Sequence, residues 1–251
     1  MAKQLSALII AHNEEKRLKS CLEKLNFVDE IVVVLDKTND NSKKILQPFN
    51  VKLIEGSWEL EGERRNLGLS MCSSNWILEV DADEHVSKEL SVEIREKIMN
   101  AEPGYFLIPF NNYIGKRKVK FGWGASWGVS AAPRLSYKGY KKWNAAQRIH
   151  PAITLDGKKN WLKNSIDHYV DENINDMIRR LIFYTDKKSK DIIFSGEKIP
   201  PFWIIIRKGI TRFFKCFFSR KGYKEGRIGF LIASMAFLYI VISYIKASDE
   251  K

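Results

Sequence analysis

Apolar residues in the first hundred positions fall into short continuous runs separated by amphipathic stretches. The runs that predict strands are Leu5–Ile10, Glu30–Leu35, Val51–Ile54 and Trp76–Val80. The stretches with helical spacing are Glu14–Leu25, Lys43–Gln47, Glu63–Cys72 and Ser87–Met99. Continuous apolar strands that alternate with helices predict an α/β fold whose parallel sheet is covered on both faces. In such sheets ligands bind beyond the carboxyl ends of the strands.

The pattern is less regular between Tyr105 and His168. This region holds a strand-like YFLIPF, a basic KRKVK and the aromatic, glycine-rich FGWGASWG. We expect strands and mobile loops here, which would form a lid on one side of the bound ligand. A helix is predicted from Asp171 to Lys190, because its apolar residues recur on one face.

The character of the chain changes after Pro200 and Pro201. Large apolar residues share one broad helical face, and cations occupy another. The apolar set is Trp203, Ile206, Ile210, Phe213, Phe214 and Phe217, and the cations are Lys208, Arg212 and Lys215. This arrangement is typical of a helix that lies in the interface of an anionic membrane. We therefore predict a catalytic domain over residues 1–198 and a basic aromatic helical tail over residues 199–251.

Residues 228–245 carry no charge. A spanning helix needs about 20 apolar residues, so the length is borderline. A buried core helix and a subunit contact are the alternatives, and a homo-oligomer is then possible. We favour membrane contact over these alternatives, because aromatic residues and cations precede the segment. Interfacial binding or packing on the neighbouring helix is favoured slightly over spanning.

The composition of the chain predicts an anionic partner and a reducing compartment. The 251 residues are 45% apolar, enough for a core, and carry a formal net charge of +12. That balance favours nucleic acid, anionic lipid or a phosphorylated substrate as partner. Cys21, Cys72 and Cys216 are too far apart for a zinc site or a disulfide framework, which favours the cytosol. The short apolar run at the N-terminus is better explained as a first strand than as a signal peptide.

Acidic residues follow the strand WILEV at once, in the sequence DADE. Alternate residues of an extended chain point the same way, so Asp81 and Asp83 are predicted to face one site across the small Ala82. Two close carboxylates repel each other unless a cation lies near them. A hard divalent ion, Mg²⁺ or Mn²⁺, would satisfy both and also hold the phosphates of a substrate. A solvated acidic turn is the plainer alternative.

Other polar residues are predicted at the same sheet edge. Asp36 ends the second strand and is placed to accept a hydrogen bond from a base or a ribose, unless it forms an Asx turn. Glu14 and Glu15 follow the first strand, where they could also complement a helix dipole. Arg64 and Arg65 precede the Asp81 strand and could hold a diphosphate or lie at the surface.

Three segments together resemble a known family: AHNEEKRLKSCL, VDEIVVVLDKTNDNS and ERRNLGLSMCSSNWILEVDADEHVSKEL. They look like the family 2 glycosyltransferases, in particular the bacterial branch that adds glucose-type sugars to the lipopolysaccharide core. The C-terminal block RKGYKEGRIGFLIA resembles the same branch. The likeness is specific over residues 5–90 and weaker beyond them.

The resemblance implies a GT-A fold, which is a Rossmann-like nucleotide-binding sheet flanked by helices, here followed by a helical extension that associates with membranes. It implies a nucleotide-sugar donor, usually a UDP-sugar, with Mg²⁺ or Mn²⁺ and inversion at the anomeric carbon. By position, Asp83 and Asp81 match the metal-binding motif, and Asp36 matches the aspartate that recognises the base. The remaining residues expected to bind the nucleotide-sugar are Ala11, Asn13, Glu14, Arg65, Asn66 and Ala82.

The catalytic base is where this chain departs from the pattern. Relatives often have His-Glu where this chain has His150-Pro151. An inverting transfer by direct displacement needs a base for the acceptor hydroxyl. Our candidates are His150 and Glu84. For a lone histidine, a structural role is slightly favoured over a catalytic one.

The sequence thus predicts a metal-dependent hexosyltransferase at the inner leaflet of the cytoplasmic membrane. Its acceptor would be a lipid-linked saccharide or the lipopolysaccharide core. A sugar-phosphate nucleotidyltransferase is one alternative, but AHNEEKR stands where such enzymes carry a glycine-rich loop. A non-enzymatic membrane adaptor is another, and it leaves the carboxylates unexplained. Nucleic acid is not expected as a partner.

Overall fold

A computed structural model describes residues 4–123, 130–146 and 151–250. Over these residues the chain forms twelve strands and seven α-helices. The strands are β1 (Leu5–Ala11), β2 (Glu30–Asp36), β3 (Lys52–Gly56), β4 (Trp76–Glu79), β5 (Glu84–Val86), β6 (Gly104–Ile114), β7 (Arg117–Val119), β8 (Ala131–Tyr137), β9 (Lys141–Trp143), β10 (Ile153–Leu155), β11 (Lys158–Trp161) and β12 (Ile166–Asp171). The helices are α1 (Leu18–Glu23), α2 (Ser42–Ile45), α3 (Glu61–Met71), α4 (Lys88–Asn100), α5 (Ile174–Phe194), α6 (Phe202–Phe214) and α7 (Arg227–Asp249).

The chain divides into two compact units. The first comprises Met1–Phe110 and Ala131–His168, and the second comprises Asn111–Ser130 and Tyr169–Lys251. These boundaries differ from the predicted ones, since the second unit takes in residues well before position 199. The division of the chain into a catalytic domain and a tail at that position stays a prediction.

The main sheet combines a parallel half with an antiparallel half. Its strand order is β3-β2-β1-β4-β8-β6-β12-β5. Strand β1 lies between β2 and β4 and is parallel to both, and β2 is also parallel to β3. Strand β8 is antiparallel to both β4 and β6, and β12 is antiparallel to β5, while the added strand β11 is parallel to β6. The prediction of a parallel sheet is confirmed for the first hundred residues.

Helices cover both faces of the parallel half, as the continuous apolar strands predict. One face packs Ile9, Val33 and Leu78 against α1 and α4. The opposite face packs Leu8, Val34 and Ile77 against α3. Gly68 brings α3 close to the sheet, because a Cβ there would lie 2.6 Å from Leu8 Cδ1. The strands are therefore buried on both sides, and polar residues are confined to their ends.

The predicted elements all occur, with shifted ends. The largest difference is at the first helix, where residues 12–17 form bends and turns and α1 begins only at Leu18. The later start of the helix is explained by hydrogen bonds from this loop, because the main-chain N–H groups of Glu14 and Glu15 donate to the side chains of Ser42 and Asp40. Five residues of the FGWGASWG stretch, 124–128, lie outside the described residues, as does the following Val129.

The second unit is mainly helical, and α7 forms its centre. Buried residues occur on every turn of α7, including Ile232, Ala236 and Tyr244. They pack against residues from both α5 and α6, such as Met177 and Ile205. Helix α6 continues into a π-helical turn (Lys215–Ser219) and a 3₁₀ helix (Gly222–Glu225) before α7.

Glu225 anchors the strand-bearing segment of this unit. Its carboxylate accepts hydrogen bonds from the main-chain N–H groups of Lys120 at 2.8 Å and Phe121 at 3.0 Å. Arg117 donates to the same carboxylate at 3.3 Å. Close to this contact, Gly122 donates to the carbonyl oxygen of Arg220 at 2.9 Å. One buried carboxylate thus satisfies two main-chain donors that no strand partner reaches.

We expect the substitution Glu225→Ala to lower the free energy of unfolding by about 2–4 kcal/mol, because it leaves two inward-facing N–H groups without an acceptor. Urea unfolding followed by circular dichroism measures the change. The exposed neighbour Lys224 offers a matched control, and Lys224→Ala should change the stability by less than about 0.5 kcal/mol. Equal effects of the two substitutions would contradict the anchoring role.

Candidate functional site

The acidic segment after β4 forms a turn rather than an extended chain. Glu84 N–H donates to the Asp81 carbonyl at 2.9 Å, and Asp81 N–H donates to the Glu84 carboxylate at 3.0 Å. The premise that Asp81 and Asp83 alternate along an extended strand is therefore wrong. The turn brings the Glu84 carboxylate back to the main chain of Asp81 and directs Asp83 to different partners.

Arg134 on β8 bridges two of these side chains. Its guanidinium donates short hydrogen bonds to the carboxylates of Asp81 and Glu84. Arg134 is brought here by the antiparallel register of β4 and β8, which pairs Leu78 with Leu135. Burial opposes the charge of Arg134, but Asp81 and Glu84 outweigh it and raise its pKa above the ordinary value. This cation therefore stays charged at the end of the strand.

The two carboxylates respond to the bridge in opposite ways. For Asp81 burial is outweighed by Arg134 and Arg65, which hold its pKa well below the usual range. Burial raises the pKa of Glu84 to about 7, although Arg134 opposes the shift. Glu84 is fully buried, whereas the Asp81 side chain is 33% exposed. Asp81 is thus the member of the pair that stays ionised and reaches solvent.

Asp83 faces a different set of partners. His168 Nε2 lies 3.5 Å from its carboxylate, and an Arg17 nitrogen lies 3.9 Å away. Strand pairing explains the histidine, because β12 runs antiparallel to β5 and sets His168 opposite Glu84. Burial disfavours the charged imidazole, but the hydrogen bond to Asp83 outweighs it and raises the pKa of His168.

Asp83, Glu84 and His168 form a group that could hold a metal ion. Each offers one ligand atom, and these atoms all lie within 4.8 Å of one another. Two carboxylate oxygens and one imidazole nitrogen are a donor set that suits a divalent cation. The residues present therefore fit the predicted ion, with His168 as a ligand that the sequence did not indicate.

A buried ion pair lies further back in β4. Lys141 donates a short hydrogen bond to Glu79, and both side chains are almost fully buried. Lys141 also donates to the Pro133 carbonyl at 2.7 Å, and Trp143 Nε1 donates to Glu79 at 3.3 Å. Burial opposes the charge of Glu79, but Lys141 and Arg65 outweigh it and lower its pKa. The pair ties β9 to the strand that presents the acidic turn.

Arg65 and Asn66 both contact Trp143, but in different ways. The Arg65 guanidinium stacks on the indole ring at 4.5 Å, and one of its nitrogens lies 3.8 Å from Asp81. Both polar ends of the Asn66 amide bind the main chain of Trp143, at 2.8 and 2.9 Å. Arg65 is thus a buried cation beside the acidic turn, and Asn66 fastens α3 to β9.

Asp36 lies at the end of β2, as predicted, and its carboxylate is hydrogen-bonded within the protein. Its carboxylate accepts the Trp58 N–H at 3.0 Å and a short hydrogen bond from Arg64. The next residue, Lys37, has a φ of +51°, so the chain turns sharply there. Asp36 is only 3% exposed. Arg64, one of the two predicted diphosphate contacts, is committed to this aspartate.

Glu14 belongs to the same sheet edge. Burial raises its pKa to about 7; Arg17 opposes the shift, and Asp83 and Asp81 add to it. Ala11 and Ala82 are buried beside it in the core of the first unit. Asn13 adopts a φ of +55° and accepts the Asn39 N–H at 2.9 Å. The edge predicted from sequence thus gathers the ends of β1, β2 and β4.

Two of the residues at this site escaped the sequence analysis. Arg134 and His168 stand about fifty and eighty positions after the acidic turn, in the region of irregular pattern. Each enters through antiparallel pairing, which leaves no local signal. His150, the other candidate base, lies outside the described residues. The roles assigned to the predicted binding and metal residues remain predictions.

A parallel α/β sheet with charged residues gathered at the carboxyl ends of β1, β2 and β4 defines a protein of the nucleotide-binding class. The comparison with protein families is more specific. The model of the family Glycosyl transferase family 2 matches residues 6–152, which is more than half of the chain. The chain belongs to this family of glycosyltransferases. The predicted resemblance is confirmed.

Curated relatives cover nearly the whole chain. An uncharacterized glycosyltransferase of Rickettsia felis is 26% identical over 94% of this chain and 86% of its own length. The lipopolysaccharide core biosynthesis glycosyltransferase LpsC of Rhizobium meliloti is 24% identical over 96% of this chain and 91% of its own length. The similarity thus extends beyond the family segment into the helical unit.

Solved structures confirm the predicted GT-A fold. The S. aureus TarS 1–349 structure in complex with UDP matches with a TM-score of 0.52 and 14% identity, over 99% of this chain and 92% of that one. Another structure of TarS 1–349 matches with a TM-score of 0.51, over 74% of this chain and 65% of that one. At these levels of sequence identity, the structural similarity supports the fold alone.

The buried pair behind the turn yields a stability prediction. We expect Lys141→Met to lower the free energy of unfolding by about 3–5 kcal/mol, because it leaves Glu79 charged and unpaired in the interior. The double variant Glu79→Leu/Lys141→Met should recover most of that loss, since no buried charge remains. Thermal and urea unfolding of the three proteins measure both effects. A double variant less stable than Lys141→Met would refute this account.

Proposed function

We propose that this protein is an inverting hexosyltransferase that uses a UDP-sugar and a divalent metal ion. The acceptor is a lipid-linked saccharide or the lipopolysaccharide core, at the cytoplasmic face of the membrane. The group formed by Asp83, Glu84 and His168 at the carboxyl end of β4 carries this proposal. The family and the name of the LpsC relative support the reaction and the acceptor. The UDP bound to TarS supports the donor.

The metal is assigned to Asp83, with Glu84 and His168 beside it. When bound, it neutralises the charge that develops on the departing diphosphate. An imidazole nitrogen in the donor set favours Mn²⁺ over Mg²⁺, which prefers oxygen ligands and keeps several waters. Asp81, the second metal ligand of the sequence prediction, is oriented by Arg134 and approached by Arg65.

The nucleotide is assigned to the neighbouring strand ends. Asp36 retains lone pairs that can accept a hydrogen bond from the base, and Arg64 fixes the orientation of its carboxylate. Asn13 and Glu14 follow β1 at the same edge. Arg65 lies 3.8 Å from Asp81 and is not bonded to it as Arg134 is, so we assign Arg65 to the diphosphate. Asn66 acts through Trp143, which it holds beneath the Arg65 guanidinium.

Metal-dependent binding of UDP tests the donor assignment. Calorimetric titration should show UDP binding that is at least about tenfold tighter with Mn²⁺, because an ion held by Asp83 would offset the negative charge of the diphosphate. The variant Asp83→Ala should lose this gain. Asp156→Ala makes the same change at an exposed turn and should bind as the wild type does. A folded wild type that binds no UDP would exclude a UDP-sugar donor.

Two variants separate the candidates for the base. If a residue takes the proton of the acceptor hydroxyl, its removal should lower turnover by about 10²–10⁴-fold and leave UDP binding intact. Both carboxylate oxygens of Glu84 are already engaged, by Arg134 and by the Asp81 N–H. We therefore expect the larger loss from His150→Ala and a smaller one from Glu84→Gln. Turnover is measured as acceptor-dependent release of UDP, and wild-type rates in both variants would remove both candidates.

A further inference from the structure

Helix α6 and the turns after it expose large apolar side chains at helical spacing. They are Trp203, Ile210, Phe214, Phe218 and Tyr223. Trp203 is 65% exposed, and the rings of Phe214 and Phe218 are stacked at 5.4 Å. We call these five residues the aromatic face. Exposed apolar groups of this size, so close together in sequence, are unusual on a protein surface that has no partner.

The aromatic face is not the face by which α6 packs in its own unit. The inward side of the helix is formed by Ile205 and Gly209, and Cys216 continues it in the π-helical turn. A Cβ on Gly209 would lie 2.8 Å from Phe237 of α7, so the two helices are in close contact there. The outward side therefore remains available to something outside this unit.

Positive charge surrounds the aromatic face. Six exposed cations lie between residues 207 and 227, namely Arg207, Lys208, Lys215, Lys221, Lys224 and Arg227. In the sequence from Ile199 to Ile245 the single acidic residue is Glu225, which is buried and bound to main-chain N–H groups. Apolar side chains framed by uncompensated cations match an anionic membrane interface.

Helix α5 provides a contrast within the same unit. It also exposes apolar residues, Ile178 and Ile182. Acidic residues lie among its basic ones, however, and Asp176 and Asp186 form ion pairs with Arg179 and Lys246. Apolar exposure is thus shared by the two helices, but in α6 and its turns the cations have a single acidic neighbour in sequence, Glu225.

The apolar composition of α7 has another explanation. Among the described helices it is long and apolar enough to cross a membrane. Yet it packs against both α5 and α6, and its residues Ile232, Ala233 and Ala236 are fully buried there. Crossing a bilayer would require these contacts to be given up. Burial in the protein thus accounts for half of this apolar stretch, while Phe230, Leu238 and Ile245 on the other side of α7 are exposed.

We infer that the aromatic face binds the surface of an anionic bilayer and that α7 stays within the protein. The aromatic rings enter the headgroup region, and the surrounding cations meet the lipid phosphates. A second copy of the chain fits this face less well, because pairing would bring six exposed cations of each copy together. This inference refines the membrane partner of the proposed function and is independent of the donor.

Co-sedimentation of the full-length protein with vesicles tests the inference. One set of vesicles is phosphatidylcholine, and the other is an equal mixture of phosphatidylcholine and phosphatidylglycerol. Each cation near an anionic surface strengthens binding about fivefold, so the mixed vesicles should bind at least about tenfold more tightly, and less so in high salt. Equal binding to both vesicles would overturn the inference.

Three variants locate the contact. Phe214→Ser/Phe218→Ser removes the stacked rings, and Arg207→Glu/Lys215→Glu reverses two exposed charges, which cannot affect the core. Each should weaken binding to the mixed vesicles by at least about tenfold. The matched control Ile178→Ser/Ile182→Ser should leave it unchanged. Wild-type binding by the charge variant, or an equal loss in the control, would overturn the inference.

Two further outcomes separate the rival arrangements. Protein that stays with the membrane after alkaline carbonate extraction would show that α7 inserts, and this would overturn the inference. A dimer in light scattering that dissociates in the phenylalanine variant, with vesicle binding unchanged, would make the face a subunit interface instead. UDP titration of the same variants reports on the proposed donor site separately, and we expect it to match the wild type.

Discussion

The arrangement of the candidate site depends on one buried guanidinium. Arg134 lies between Asp81 and Glu84, which would otherwise place two carboxylates against each other at the end of a buried strand. Its charge allows the turn to close, with the Asp81 N–H on Glu84 and the Glu84 N–H on Asp81. With those two acids fixed, Asp83 projects toward His168. The geometry of the candidate metal site thus follows from a cation supplied by another strand.

Buried charge continues along β4, at Glu79 and Lys141, in the core of the first unit. Such pairs add little net stability compared with apolar residues, because both ions lose their hydration. Their effect here is geometric. Glu79, Lys141 and Asn66 fix β9 through Trp143, and the indole of Trp143 supports the Arg65 guanidinium beside Asp81. The fold places its polar network where a charged substrate would bind, and it relies on ordinary apolar packing elsewhere.

The helical unit shows how one composition can serve two environments. About half of the apolar stretch of α7 is buried against α5 and α6, whereas the side chains of the aromatic face are between 45% and 65% exposed. Burial separates the two cases, since composition alone would rank α7 as the membrane helix. The π-helical turn and Glu225 complete the unit by holding the segment from Arg117 to Phe121.

The parallel half of the sheet, both helix-covered faces and the polar edge at Asp36, Glu14 and Asp81 were predictable from sequence, because each rests on local periodicity. The acidic motif was visible for the same reason, but its conformation was not. The segment forms a turn and not the expected extended chain, because Arg134 provides a charged partner for Asp81 and Glu84. Neither Arg134 nor His168 could be identified from the sequence as part of the site. Both are brought there by antiparallel pairing between strands that are far apart in the chain, and the register of that pairing is set by the packing of the whole sheet. The sequence determined which elements form and which polar side chains lie at their ends. The tertiary structure decided which charges meet, because the opposite charges at this site come from different strands and not from neighbouring positions in one strand.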